Sequence, residues 1–291
     1  MRDAPPKPVR FGDLGLRLVS GLALAAIAFI DLWMGGLWSA VLLAGLLIIM
    51  LWELDRMVSR DLPSKRSSRL PPRLSSRLSS GRSVTYSAFP GMAVCGALAV
   101  FATYLHGVLL GAFFLALGCA VAAVLGGRRK GWLIGGLLYM GLAVCAMVPI
   151  RHLEPNGLLL IIWLIVVVVA TDVGAYFVGR LFGGPRLWPA VSPGKTRSGA
   201  LGGLAFAGAI GVPMGVWIGQ DIATSAFLSI GASIASQCGD LLESAVKRRF
   251  GVKDASHVIP GHGGVMDRLD GLVGGVWFVA ICGMFGLGSL G

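Results

Sequence analysis

The chain has 291 residues, 55% of them hydrophobic and only 13% charged, with a mean hydropathy of +0.79 and a formal charge of +11. Soluble proteins carry about 25% charged residues, so a water-soluble domain of this size lacks the charge to cover its surface. Disorder is excluded as well, because it goes with low hydrophobicity. What is left is an all-α, polytopic integral membrane protein, where 44 glycines are well tolerated and where excess Lys and Arg reflects loop placement and anionic partners, not nucleic acid.

In chain order, runs of about 20 apolar residues, the length that crosses a bilayer, cover 17–34, 36–52, 84–104, 108–126, 132–150, 157–179, 198–219, 222–238 and 271–290. These predict nine transmembrane helices, the run at 222–238 being short and rich in Ser and Ala. Gly21 to Ile30 has the look of a signal-peptide core. Twenty residues precede it and a second apolar run follows at once, so it is expected to remain as a span. Cys95, Cys119, Cys145, Cys238 and Cys282 fall in or beside apolar runs with no CxxC pair, and read as small buried apolar residues.

Basic residues orient the spans. With the N-terminus cytoplasmic, the inner segments collect Arg2, Lys7, Arg10, Arg17, eight basic residues from Arg56 to Arg82, three from Arg128 to Lys130, four from Arg180 to Arg197 and five from Lys247 to Arg268. That is 24 of the 25, with Arg151 outside, and it puts the C-terminus outside. The sequence divides at about residue 150, into N-terminal helices with a basic Arg/Ser-rich cytoplasmic loop at 54–83 and a C-terminal region, 151–291, that carries the chemistry. The loop reads as flexible, or as a segment held at the anionic membrane surface.

Acidic residues are few enough to take singly. Asp3, Asp13, Glu53, Asp55, Asp61, Glu154 and Asp221 sit in tails, loops or helix ends and are expected to be solvated; Asp31 is near the outer interface. Asp172 lies deep in the sixth run, where an ionised carboxylate seeks a partner or a function. Five acids then crowd into one window: Asp240, Glu243, Asp254, Asp267 and Asp270, beside Lys247, Arg248, Arg249, Lys253, Arg268, His257 and His262. Asp240 and Glu243, and again Asp267 and Asp270, are three apart and face one side of a helix, so two carboxylate pairs at adjacent helix ends are expected to converge on a hard divalent cation. The turn Pro260-Gly261-His262-Gly263-Gly264 lets backbone amides approach an anion. Acids for a metal beside a basic cluster is what phosphoryl or nucleotidyl transfer requires. Ser192-Pro193-Gly194-Lys195-Thr196, with Arg180, Arg186 and Arg197 around it, is a second phosphate-contacting stretch; its upstream glycine is misplaced for a Walker motif.

Ser244-x-x-Lys247-Arg248, Lys253-Asp254 and Pro260-x-His262-Gly263-Gly264-x-x-Asp267-Arg268-x-Asp270 resemble the signature of the phosphatidate cytidylyltransferases (CDP-diacylglycerol synthases). Asp172-x-x-Ala175-Tyr176-x-x-Gly179-Arg180 and Ser192-Pro193-x-Lys195-Thr196 resemble two further blocks of that family. The likeness is strong over 170–271 and rests on hydropathy alone before that. It implies transfer of a cytidylyl group from CTP to phosphatidate in a bacterial inner membrane, with the site on the cytoplasmic side and membrane lipids as surroundings. Mg2+, with a second cation nearby, would be held by residues matching Asp240, Asp267 and Asp270. Lys247, Arg248, Lys253 and Arg268 would bind triphosphate or lipid phosphate, with Ser192 and Lys195 adding contacts. Thr196, Ser244, Gly263, Gly264, Arg180 and Asp172 belong to the same substrate-binding set, and His262 shapes the turn or bonds a phosphate. A homodimer is compatible with this reading. One departure is Arg197-Ser198-Gly199, where many relatives carry an aromatic residue and an acid before the glycine. Two other readings remain: a related CTP-using lipid enzyme (an ether-lipid cytidylyltransferase or a polyprenol kinase), and a transporter coupled through Asp172.

Overall fold

The computed structural model describes residues 11–59, 87–153 and 155–285. Most of the Arg/Ser-rich loop, Glu154 and both tails lie outside them. Nine long helices occupy the described residues: α1 (Phe11–Met34), α2 (Gly36–Ser59), α3 (Phe89–His106), α4 (Val108–Leu125), α5 (Lys130–Arg151), α6 (Gly157–Phe182), α7 (Arg197–Trp217), α8 (Ile222–Arg249) and α9 (Met266–Met284). Between α6 and α7 an antiparallel hairpin pairs β1 (Arg186–Trp188) with β2 (Ser192–Thr196), in the register Arg186 to Thr196 and Trp188 to Ser192. Seven helices, α2 to α8, are long and apolar enough to cross a membrane, and the protein is a multi-pass membrane protein. Leu109, Val124 and Leu181 stand 85%, 79% and 78% exposed, as side chains facing lipid must.

Each helix falls on one predicted run, but several boundaries differ, and three of the differences bear on the site. α2 runs on to Ser59, α8 runs on to Arg249, and α9 begins at Met266, five residues before the predicted start. The reason is the same in each case. An apolar window closes where charge begins, whereas the helical backbone ladder continues through Glu, Lys and Arg, which are good helix formers. The extensions carry Glu53, Asp240, Glu243, Lys247, Asp267 and Asp270 on rigid helix instead of loop.

Small residues set the tightest contact, between α6 and α7. A Cβ on Gly174 would meet the Phe206 ring base at 2.6 Å and the Gly202 carbonyl at 2.8 Å, and one on Gly202 would meet Val178 at 2.4 Å. In lipid, where helices gain no hydrophobic drive to associate, such close backbone approach is what holds them. Trp163 is buried at their crossing and donates from Nε1 to the Gly211 carbonyl at 3.0 Å, which satisfies a polar atom that water cannot reach. The apolar core runs from Leu47, Met50 and Leu51 on α2 through Leu133 and Leu137 on α5 to Val167 on α6 and Val276 on α9; it is continuous across residue 150. Cys95, Cys145 and Cys282 are buried as expected, but Cys238 is exposed on α8.

The two ends of the bundle differ. At one, Arg151 lies beside Gly35 and within the electrostatic reach of Asp31. At the other, Arg129 pairs with Asp55 at 3.4 Å and donates to Ser59, and Ser87 donates to the same Asp55 carboxylate at 3.3 Å. The acids and bases of the C-terminal region gather at this second end.

Candidate active site

Four pieces of chain converge there: the last turns of α6, the β1–β2 hairpin, the extended end of α8, and the loop from Phe250 to Val265 with the first turns of α9. Gly183 and Gly184, at φ of +60° and +98°, turn the chain out of α6, and the Arg197 amide returns to the Pro185 carbonyl at 2.9 Å. Thr196 then caps α7, its Oγ1 accepting from the Gly199 amide at 3.0 Å. Ser192-Thr196 is therefore a strand leading straight into a helix, with no phosphate-cradling loop between them.

The hairpin delivers Lys195 to α8, where its ammonium ion-pairs with the Asp240 carboxylate; Ser244, one turn on, donates to Asp240 Oδ1 at 3.3 Å. Asp240 in turn lies within the electrostatic reach of both Asp172 on α6 and Asp270 on α9. Three acids from three helices thus lie within electrostatic reach of one another, with Lys195 paired to one of them. Asp270 is oriented by the Gly271 amide, which donates to its Oδ1 at 2.7 Å.

A second group lies beside the first. Lys247 sits 3.0 Å from Glu243 Oε1 and 2.7 Å from Asp267 Oδ1, with the lysine and both acid side chains no more than 11% exposed. Asp267 Oδ2 accepts from the Gly264 amide at 2.8 Å and the Ala255 amide at 2.9 Å, so this acid ties both ends of the loop to α9. Asp240 thus lies within reach of Asp270 and Asp172, while Glu243 shares Lys247 with Asp267 and also lies within the electrostatic reach of Asp270. A three-residue step leaves two side chains only about 60° apart on a helix, so neighbours on one face still meet different partners at a crowded crossing.

Among the described residues no three His, Cys, Asp or Glu side chains stand close enough to form a ready-made metal cage. The donor chemistry still suits a hard cation, since every candidate ligand is a carboxylate oxygen and the three at Asp172, Asp240 and Asp270 repel one another.

The remaining predicted residues divide between binding and support. A cavity of about 420 Å3 is lined by Asp172, Arg180, Arg186, Lys195, Thr196 and Gln237, with Arg180 held by the Tyr176 hydroxyl at 2.7 Å. A separate cleft of about 510 Å3 is lined by Lys253, Asp254, His257, His262, Gly263 and Arg268. Arg268 is partly committed, donating from Nε and Nη2 to the His262 carbonyl at 2.9 and 2.6 Å. Arg248 donates to the Val191 carbonyl at 3.3 Å and the Val252 carbonyl at 3.2 Å, which makes it a brace between hairpin and loop. Ser20 on α1 donates to the Pro260 carbonyl at 3.0 Å and lies 2.7 Å from His262 Nδ1. One hydroxyl proton serves both contacts only if His262 donates from Nδ1. Gly263, at φ of +89°, takes a conformation a side chain would strain. Ser192 opens β2 opposite Trp188.

Sequence reasoning missed Glu53. Expected to be solvated, it is wholly buried. Its Oε1 accepts from the Ser256 hydroxyl at 2.5 Å and the Val265 amide at 2.9 Å, and its Oε2 from the Met266 amide at 2.7 Å. Its partners are more than 200 residues away, beyond the reach of any local pattern. The one available signal was an acid following an apolar run inside what reads as unbroken helix. Gln237, on the wall of the cavity that Asp172 and Lys195 line, was also passed over.

Comparison with known proteins agrees with this geometry. The chain is 46% identical over 173 residues to the phosphatidate cytidylyltransferase of Brucella suis, covering 58% of this chain and 63% of that protein. It is 39% identical over 142 residues to the phosphatidate cytidylyltransferase of Bacillus subtilis, covering 48% and 53%. The corresponding protein of Staphylococcus aureus is 42% identical over 119 residues, covering 40% and 45%. The similarity thus spans between about half and just under two thirds of these relatives' length. Residues 15–285 match the Cytidylyltransferase family as a whole, and the chain belongs to that family.

Proposed function

We propose that the protein transfers the cytidylyl group of CTP to phosphatidate, giving CDP-diacylglycerol and pyrophosphate for phospholipid synthesis. The observation that carries this reading is the gathering of Asp172, Asp240 and Asp270, from three helices, within one another's electrostatic reach, with Lys195 of the hairpin paired to Asp240. Such a site can hold a polyphosphate against a divalent cation, while a cleft of Lys253, His262 and Arg268 opens nearby. In the reaction an oxygen of the lipid phosphate forms a bond to the α-phosphorus of CTP. The bond from that phosphorus to the bridging oxygen breaks, and pyrophosphate leaves with the electron pair. The attacking phosphate is already ionised near neutral pH, so no residue has to act as a strong base.

The assigned roles follow from what each side chain touches. Asp240 and Asp270, oriented by Ser244 and the Gly271 amide, are the acids best placed for Mg2+, with Asp172 beside them. Asp267 fits a lesser share, because Lys247 and two backbone amides already occupy its oxygens. Mg2+ keeps several waters and needs only one or two protein carboxylates besides substrate phosphates, so the lack of a closed protein cage suits it. When bound, it would supply positive charge that offsets the negative charge on the phosphates as pyrophosphate departs. Lys195 would exchange its contact with Asp240 for the triphosphate, and Arg180, Arg186 and Lys253 would hold the outer phosphates.

We place the site on the cytoplasmic face of a bacterial inner membrane, following the segregation of basic residues. Self-association is the accompanying expectation, tested by cross-linking in detergent. The activity itself is tested with purified protein, CTP, Mg2+ and phosphatidate. Pyrophosphate and a CDP-lipid are expected, both lost in Asp270→Asn. Unchanged turnover in that variant would overturn the metal assignment, and absence of CDP-lipid from the wild-type protein would overturn the function.

A further inference from the structure

Helix α9 begins without a side-chain cap of its own: Val265 stands at the capping position and makes no such bond. The first turn of a helix has unpaired amides, and here they are buried among α2, the 250–265 loop and α9. Asp267 takes the amide of Gly264. Those of Val265 and Met266 are taken by Glu53, which reaches in from α2 and also accepts from Ser256 in the loop. The approach is tight enough that a Cβ on Gly264 would lie 2.5 Å from Glu53 Oε1. The acidic carboxylate also lies at the positive end of the α9 dipole.

We propose that Glu53 is a positioning residue: a cap supplied from another helix, which sets the rotation and depth of α9 and thereby aims Asp267 and Asp270. Met266, whose amide it holds, immediately precedes Asp267 and is just over one turn before Asp270. A small rotation at this point moves both carboxylates relative to Asp240 on α8. Glu53 itself touches neither acid through any of its three bonds; its effect on a cation is indirect. This inference rests on the metal-dependent reading above.

The decisive variant is Glu53→Gln, which keeps the volume but turns one acceptor into a donor facing a backbone amide. Leu47→Ala, two turns earlier on α2 and wholly buried, serves as a control that loosens the same helix without touching α9. Mn2+ affinity of the purified protein, followed by electron paramagnetic resonance, is expected to fall about 10-fold or more in Glu53→Gln, the usual scale for losing a partner that orients metal ligands. The Mg2+ concentration for half-maximal turnover should rise in parallel while the KM for CTP at saturating Mg2+ changes less. Leu47→Ala is expected to lower thermal stability and leave Mn2+ affinity in place. Should Glu53→Gln fail to fold, Ser256→Ala removes one of the three bonds and should shift Mn2+ affinity in the same direction by a smaller factor. Unchanged Mn2+ affinity in the folded Glu53 or Ser256 variant, or an equal loss in Leu47→Ala, would overturn the proposal. No Mn2+ binding by the wild-type protein would overturn it together with the metal reading. Mn2+ binding without cytidylyl transfer would overturn the proposed activity alone.

Discussion

Two lysines of the site look alike in sequence and differ in what surrounds them. Lys247 is nearly enclosed between Glu243 and Asp267; removing it leaves two buried acids facing each other without a cation. Breaking a buried pair in this way costs about 3–5 kcal/mol, so Lys247→Ala is expected to lower the melting temperature by about 10 °C or to fail to accumulate, with activity lost in whatever folds. Lys195 is about a third exposed and its partner Asp240 similarly so, and a pair in contact with water contributes about 0–1 kcal/mol. Lys195→Ala should therefore keep its melting temperature within a few degrees while turnover with CTP falls by about 100-fold, the scale on which an electrostatic contact to a reacting group acts. Thermal shift and initial rates on the two variants check the contrast; equal destabilisation would show that both lysines are structural.

At the scale of elements, the order of the helices among the described residues was legible because the apolar runs are separated by clear polar breaks, although only seven of the nine expected spans are long and apolar enough to cross a membrane. Their ends were not, because charge does not terminate a helix: α8 carries Asp240, Glu243, Ser244, Lys247 and Arg248 on one continuous rod. The motif residues were legible as a set, since their types and spacing are visible in sequence, and the fold brings Asp240, Lys247, Asp267 and Asp270 to one end of the bundle. Which acid lies near which was not legible, because Asp240 comes within reach of Asp270, and Glu243 shares Lys247 with Asp267 while also lying near Asp270, through the crossing of α8 with α9, a property of packing alone. Glu53 was invisible for the same reason. The α6–α7 contact offers a direct test of how far packing governs the site. Gly202→Leu forces a side chain against Val178, where even a Cβ has no room. Overpacking of this kind costs about 1–3 kcal/mol, and it should shift Asp172 and the Thr196 cap together. A lowered melting temperature with at least a tenfold loss of turnover is expected, and unchanged turnover would mean that α6 and α7 do not set the site.

For the molecule as a whole, the end-to-end difference in charge makes a topological prediction. In an otherwise cysteine-free chain in inverted and right-side-out vesicles, His152→Cys should react with a membrane-impermeant maleimide from the outer face, and a cysteine at Lys253 only from the cytoplasmic face. Both positions are exposed. Labelling of the two from the same side would contradict the antiparallel alternation of the helices. The division at residue 150 does not mark two independent units, since the apolar core crosses it and α5 packs on both α6 and α9.

That Glu53 closes on a segment made more than 200 residues later has a consequence for biogenesis. The ribosome delivers α2 to the membrane early, and its carboxylate must wait through the synthesis of six more helices before the amides of Val265 and Met266 exist. Nascent chains released before α9 would carry most of the binding residues yet leave that acid without its clients. The site is thus completed only when α9 emerges, and a chain released before it lacks Asp267, Asp270 and the amides that Glu53 holds.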